Sequence, residues 1–209
     1  MTPLARAQRI LLGVVVAMGA VLAVTGVWLT FNYRPNAAQA WPDLGSSPAA
    51  TDWPRLIHQV ASVLLLPVVV AFLVVGVVAS RRWHSATALL VTTLTLAYTG
   101  TLLPWDQLAL WAVTVGTNHQ GMLAAAFSND VRFVILGGAE ISQATLALWL
   151  VVHAAVLPVV FAGLLALAAR GMWARRPRTD AYAEPPGTSS ATPPTSSSRW
   201  SNQSRTMRS

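Results

Sequence analysis

The chain has 209 residues, of which 54% are hydrophobic and only 10% are charged, a balance too apolar for an ordinary soluble domain of this size. Cysteine is absent, which excludes disulfides, zinc–thiolate sites and iron–sulfur clusters held by this chain. The net charge of +7 is concentrated in particular loops, and this distribution argues against a nucleic-acid partner. The composition therefore favours a protein whose solvent is membrane lipid.

Four stretches are long and apolar enough to cross a bilayer as helices. A hydrocarbon core of about 30 Å takes about 20 mostly apolar residues, because every backbone amide must be bonded within its own segment. The predicted spans are Ile10–Phe31, Leu56–Ser80, Ala86–Leu103 and Ala144–Ala169. We therefore predict an all-α fold, an integral membrane four-helix bundle formed by residues 1–174.

The charges of the connecting segments predict the orientation of the bundle. On one side of the membrane lie Arg6, Arg9, Arg81, Arg82, Arg170, Arg175, Arg176 and Arg178. On the other lie Asp43, Asp52, Asp106, Asp130 and Glu140, against Arg34, Arg55 and Arg132. Since cytoplasmic loops carry an excess of basic residues, we expect a multi-pass protein of the cell membrane with both termini in the cytoplasm.

A cleaved signal peptide is the alternative interpretation of the first apolar segment. Basic residues, an apolar run and Ala38-Gln39-Ala40 follow one another in the required order. The apolar run is longer than a signal peptide needs, which favours a retained first span.

The segments outside the spans differ in character. Residues 175–209 are rich in Pro, Ser, Thr and Arg, and we expect a disordered cytoplasmic tail. Residues Tyr33–Trp53 contain several prolines, and we expect irregular chain across the outer surface. Residues Trp105–Gln143 are long enough for short amphipathic helices at the interface.

Two of the four histidines, His58 and His153, lie inside predicted spans. His58 is 23 residues before Arg81, and His153 is 17 residues before Arg170, so at about 1.5 Å per residue both rings lie in the outer half of the bilayer. An imidazole in hydrocarbon is costly unless it is paired or binds something. The pair could hydrogen-bond across helices, or it could supply both axial ligands of one haem b.

Three further residues suit the haem interpretation. Gly26 and Gly100 would let backbone approach a porphyrin without an intervening side chain, although glycine in membrane helices also serves packing alone. Arg55 lies one helical turn before His58, at the wet edge, where a haem propionate needs a cation.

Several motifs resemble the amino-terminal, b/b6-type domain of the cytochrome b family over roughly residues 9 to 170. Gly100-Thr101-Leu102-Leu103-Pro104-Trp105-Asp106-Gln107 is similar to the family's third-helix signature, which continues through residues 111–118. Ala144-Thr145-Leu146, His153 and Leu157-Pro158 resemble its fourth helix, and Arg55-Leu56-Ile57-His58 its second. Thr25-Gly26 followed by Asn32-Tyr33 resembles the end of its first helix. The resemblance implies a four-helix bundle that binds haem b, with His58 and His153 as axial ligands and Arg55, Gly26 and Gly100 around the cofactor.

The chain departs from this family at the inner haem site. The family has a second histidine about fourteen positions after each ligand, and those positions hold Phe72 and Leu167 here. The glycines of the inner site would fall at Leu12 and Ala86. Because neither a phenyl nor an isobutyl group binds iron, the sequence predicts a single haem on the outer side.

The resemblance implies an electron-transfer subunit of a respiratory oxidoreductase complex rather than a complete enzyme, and we assign no catalytic residue. The expected route runs between quinone and an extracytoplasmic redox partner, with Trp105, Gln107 and Trp111 at positions that resemble the family's outer quinone region. The Pro-Glu-Trp-Tyr motif of the family's carboxy-terminal half is absent from the sequence, so a partner chain would supply that half. The alternative hypothesis is a haem-free scaffold or assembly subunit derived from cytochrome b.

Overall fold

The computed structural model describes residues 2–44, 49–80, 83–117 and 129–173. Within these ranges every regular element is a helix. The helices are α1 (Pro3–Phe31), α2 (Ala40–Leu44), α3 (Ala49–Ser80), α4 (Trp83–Leu102), α5 (Gln107–Thr117), α6 (Asn129–Leu136), α7 (Gln143–Val151) and α8 (Leu157–Trp173), with a π-helical turn at Val152–Val156 between the last two. The predicted tail, residues 175–209, lies outside the described part of the chain.

Four helical segments are long and apolar enough to span a membrane, as the sequence predicts. They are Pro3–Phe31, Asp52–Ala79, Trp83–Leu102 and Gln143–Met172. The first helix begins at Pro3 rather than at Ile10 because the hydroxyl of Thr2 accepts a hydrogen bond from the Ala5 N–H (3.3 Å) and proline suits the first turn.

The spans surround a common interior. α1 packs against α3 and α8, and α4 packs against α3 and α8. The ends of α1 and α4 and the beginnings of α3 and α7 lie at the end of the bundle that the charge pattern assigns to the outer side.

The outer loop between the first two spans is more regular than expected. The prediction of irregular chain over Tyr33–Trp53 was wrong in part, since α2 forms at Ala40–Leu44 and α3 already begins at Ala49. Pro42 lies in the first turn of α2, where a backbone N–H has no partner within the helix, so this proline does not prevent the helix.

A set of polar contacts fixes this loop to the bundle. The Asp43 carboxylate accepts hydrogen bonds from the Arg34 backbone N–H (2.9 Å), Nε (3.0 Å) and Nη2 (2.6 Å). The Tyr33 hydroxyl donates to the Leu103 carbonyl at 2.7 Å. Burial, and secondarily the charge of Asp43, raises the pKa of Tyr33, so this donor keeps its proton.

The turn from α4 into α5 follows Pro104 and contains an unusual backbone conformation. Trp105 has a φ of 53°, a left-handed value that is rare for a bulky residue. Asp106 then caps α5, its carboxylate accepting from the Ala109 N–H at 2.8 Å. The expectation of short helices between Trp105 and Gln143 is confirmed by α5 and α6.

One turn of the fourth span contains one residue more than a regular α-helical turn. Ser142 caps α7 in a capping box with Thr145, and the π-turn at Val152–Val156 brings the Leu157 N–H to the Val152 carbonyl. Pro158 follows directly and has no N–H to donate, so the wider turn accommodates a proline that would disrupt a regular α-helix.

The inner half of the bundle is a packed apolar core. Its buried residues are Leu12, Val15, Leu65, Val69, Phe72, Ala86, Leu89, Phe161 and Ala168. Three of these residues occupy positions of the family's inner haem site. Leu12 and Ala86 replace its glycines, and Phe72 replaces one of its histidines. Leu167 instead is 60% exposed, because the π-turn advances the register and directs Ala168 inward in its place.

Candidate haem site

The structure brings His58 and His153 together. Their ring centroids are 6.3 Å apart, and the ring planes meet at 64°. A metal-bound imidazole nitrogen lies about 2 Å from the metal and about 1 Å from its own ring centre, so two imidazoles on opposite sides of one metal place their centres about 6 Å apart. The observed separation fits a shared iron, whereas it is too long for a direct hydrogen bond between the rings.

The His58 ring is held by the end of α1. Its Nδ1 lies 2.9 Å from the Thr25 hydroxyl oxygen, and that hydroxyl gives its only proton to the Val21 carbonyl at 2.8 Å. The Leu22 carbonyl also hydrogen-bonds the ring. Because these oxygens act as acceptors, Nδ1 carries the proton and Nε2 keeps the lone pair that a metal needs.

The His153 ring is held in the same way by the end of α4. Its Nδ1 lies 3.0 Å from the Thr99 hydroxyl oxygen, and Thr99 donates to the Thr95 carbonyl at 2.8 Å. The Leu96 carbonyl supplies the second acceptor. Both imidazoles are thereby fixed in the tautomer that leaves Nε2 available for a metal, as ligating histidines are in known metal sites.

Gly26 and Gly100 lie against these rings. A Cβ at Gly26 would be 3.2 Å from His58 Cε1, and a Cβ at Gly100 would be 3.0 Å from His153 Cε1. Both distances are shorter than ordinary van der Waals contacts, so a side chain would displace the imidazole. The glycines therefore give the rings room, in addition to any role toward a porphyrin.

Arg55 is positioned at the outer side of the pair. It lies one turn before His58 on α3 and is partly buried. Among the described residues it forms no ion pair. A partly buried guanidinium without a counter-charge suits the carboxylate of a bound ligand.

The residues expected near quinone lie in the turn after α4 and on α5. Trp105 packs beside the cluster of Tyr33, Ala40 and Leu146, whereas Gln107, at the start of α5, is exposed. Trp111 is 66% exposed, as expected of a tryptophan at a membrane interface.

Of the other two histidines, the structure describes only His84. His84 is exposed, and its ring stacks on Trp83 with centroids 3.9 Å apart. His119 lies outside the described residues.

Sequence reasoning missed Thr25 and Thr99. The signal was present as a short repeat, since Leu-Ala-Val-Thr-Gly at 22–26 and Leu-Ala-Tyr-Thr-Gly at 96–100 share four of five residues. Each copy supplies a carbonyl, a hydroxyl and a glycine to one imidazole. Two equivalent helix ends therefore hold two equivalent histidines.

A sequence model described as cytochrome b/b6/petB matches residues 7–170. The chain belongs to the cytochrome b/b6 family. The cytochrome b6 of Amphidinium operculatum is 32% identical over 73% of this chain and 76% of its own length. The cytochrome b6 of Heliobacterium mobile is 29% identical over 69% of this chain and 72% of its own.

Structural comparison gives the same fold. A chain of a hyperthermophilic respiratory complex III is similar with a TM-score of 0.61 and 19% sequence identity. The match covers 76% of this chain and 46% of that one. By its family match and its four apolar spans, the protein is a multi-pass membrane cytochrome b, an electron-transfer subunit of a family that binds haem b.

Proposed function

We propose that this cytochrome b holds a single haem b near the outer membrane surface, with His58 and His153 as its axial ligands. The observation that carries the proposal is the pair of facing imidazoles, 6.3 Å apart, each with Nδ1 bonded to a threonine. With these two imidazoles as the residues that would hold its iron, the haem would supply one-electron transfer rather than oxygen chemistry.

The packing of the inner half supports one haem rather than two. Phe72 is 2% exposed and Ala86 1% exposed, both within the core that replaces the inner site. A second porphyrin would have to displace these close-packed side chains, and none of the described residues there offers an imidazole to compensate. Electrons would therefore enter and leave near the outer surface.

The protein's own residues have distinct roles in this proposal. Thr25 and Thr99 orient the imidazoles, Gly26 and Gly100 give them room, and Arg55 binds a propionate. This placement implies two partners that exchange electrons with the haem. One is quinone in the outer leaflet. The other is an extracytoplasmic redox subunit or a cytochrome b carboxy-terminal-half chain. The proposed location is the cell membrane, with both termini in the cytoplasm.

The proposal is tested by spectroscopy and haem counting on the purified protein. Reduced-minus-oxidised spectra should show a b-type signal, and a pyridine haemochrome assay should give one haem per chain. H58A and H153A should each lose this signal, whereas H84A, which changes an exposed histidine, should keep it. A wild-type protein without a b-type spectrum would favour the haem-free scaffold, and two haems per chain would contradict the single site.

A further inference from the structure

Trp149 has a buried N–H group that the described part of the protein leaves unpaired. Its Nε1 is shielded from solvent and finds no hydrogen-bond acceptor among the described residues. The side chain packs beside the apolar cluster of Leu102, Val113 and Leu136, whose side chains contain no acceptor. Since a buried N–H is rarely left unpaired in proteins, this position requires an acceptor from outside the described chain.

The position of Trp149 relates it to the histidine pair. Trp149 lies four residues before His153, which places it one turn further out on nearly the same face of the fourth span. Arg55 lies three residues before His58, one turn further out on α3. Each of the two helices that carry an imidazole therefore has a hydrogen-bond donor one turn closer to the outer surface.

We propose that the Trp149 indole N–H donates a hydrogen bond to one propionate carboxylate of the haem and so positions the cofactor. This inference rests on the proposed function. Haem b carries two propionates on the same edge of the macrocycle. In the proposed function Arg55 binds one of them, which leaves the second for Trp149. A carboxylate is a strong acceptor for an N–H in apolar surroundings, so a neutral indole is an adequate partner.

The test compares W149F with the wild type, both loaded with haem. Phenylalanine keeps an aromatic ring but removes the N–H, so the charge of the propionate would no longer be partly neutralised and ferric iron would be favoured. We expect the ferric-to-ferrous ratio at a fixed ambient potential to rise several-fold, where tenfold corresponds to about 59 mV for one electron. The propionate bands in the infrared redox-difference spectrum, identified by carboxylate ¹³C labelling of the haem, should also shift.

W83F is the matched control, because it removes the same N–H from an exposed tryptophan at the opposite end of α4 from Gly100 and should change neither readout. W149M is a second variant without the N–H, to be used if W149F does not accumulate. Haem-loaded W149F with wild-type potential and propionate bands would overturn the assignment.

A quinone carbonyl is the competing acceptor, and the same variant distinguishes it. The measurements are repeated on protein depleted of quinone and after addition of a short-chain quinone. A shift that is equal in both preparations supports the propionate, whereas a shift that appears only with quinone overturns it. Absence of haem from the wild type would instead reject the proposed function itself.

Discussion

At the residue scale, the bond between each threonine and its histidine has the most specific chemical consequence. A hydrogen-bond acceptor at Nδ1 makes the opposite nitrogen a better electron donor to a metal, and it stops the ring from rotating. Thr25 and Thr99 provide this bond at 2.9 Å and 3.0 Å. Both threonines therefore affect haem affinity and potential without touching the iron.

T25V and T99V keep the shape of the side chain and remove its hydroxyl. We expect haem affinity to fall about 10- to 100-fold. This is the typical loss when a group that hydrogen-bonds a metal-ligating residue is removed. The midpoint potential should rise, because a less basic imidazole stabilises ferric iron less well. Haem titration and redox potentiometry measure both effects.

T92V is the control for these variants. Thr92 is buried on α4 and donates to the Ala88 carbonyl at 2.8 Å, so its replacement removes a similar hydroxyl away from the histidines. Equal effects of T92V and T99V on potential would show that the change is structural and not transmitted through His153.

At the element scale, the outer loop depends on the Arg34–Asp43 pair. The Asp43 side chain is 7% exposed, and its hydrogen bond from the Arg34 side chain is the main reason why the pKa of Asp43 lies below its ordinary value. A lowered pKa stabilises the folded protein above the ordinary carboxyl pKa of about 4, and this stabilisation is lost as pH falls through the folded value.

We therefore expect D43N to lower the thermal midpoint near pH 7, and we expect this deficit to shrink as the pH is lowered below about 4. The reason is that the wild type itself progressively loses this stabilisation in acid. The measurement is thermal unfolding in detergent at several pH values. D106N is the comparison, because it neutralises a helix-capping carboxylate that is not part of the Arg34–Asp43 pair. A D43N deficit that does not shrink at all in acid would show that the ionised pair contributes nothing specific.

The π-turn is the second feature at this scale. A regular helix would place Leu167 on the same face as His153, fourteen residues earlier. With one extra residue in the turn, Ala168 is buried in the core and Leu167 faces outward. The turn thus changes which side chain completes the inner core, and Pro158 supplies a reason for its location.

At the scale of the whole molecule, the bundle divides into an inner half that is filled by side chains and an outer half that contains the facing imidazoles. The buried core lies around Val69, Phe72 and Leu89. The division explains how a cytochrome b fold can remain closely packed with only one histidine pair. Substitutions in the two halves should accordingly have separable effects.

F72A should destabilise the protein by about 3 kcal/mol, since it leaves a cavity in a packed core. The b-type spectrum of the remaining folded protein should be unchanged. L167A, which truncates an outward-facing side chain at the other inner-histidine position, should alter stability little. Detergent unfolding and optical spectra measure both, and a changed haem spectrum in F72A would mean that the halves are coupled.

The sequence by itself determined the four spans, the pairing of His58 with His153, and the loss of the inner ligands at Phe72 and Leu167. These features follow from local apolar length, from helical rise and from side-chain chemistry, all of which are encoded residue by residue. Only the tertiary structure decided that Thr25 and Thr99 hold the imidazoles, that Ala168 replaces Leu167 in the core, and that Trp149 has a buried N–H without a partner in the described chain. Each of these depends on which face of one helix meets another, and that is fixed by packing between segments distant in sequence and not by any single segment.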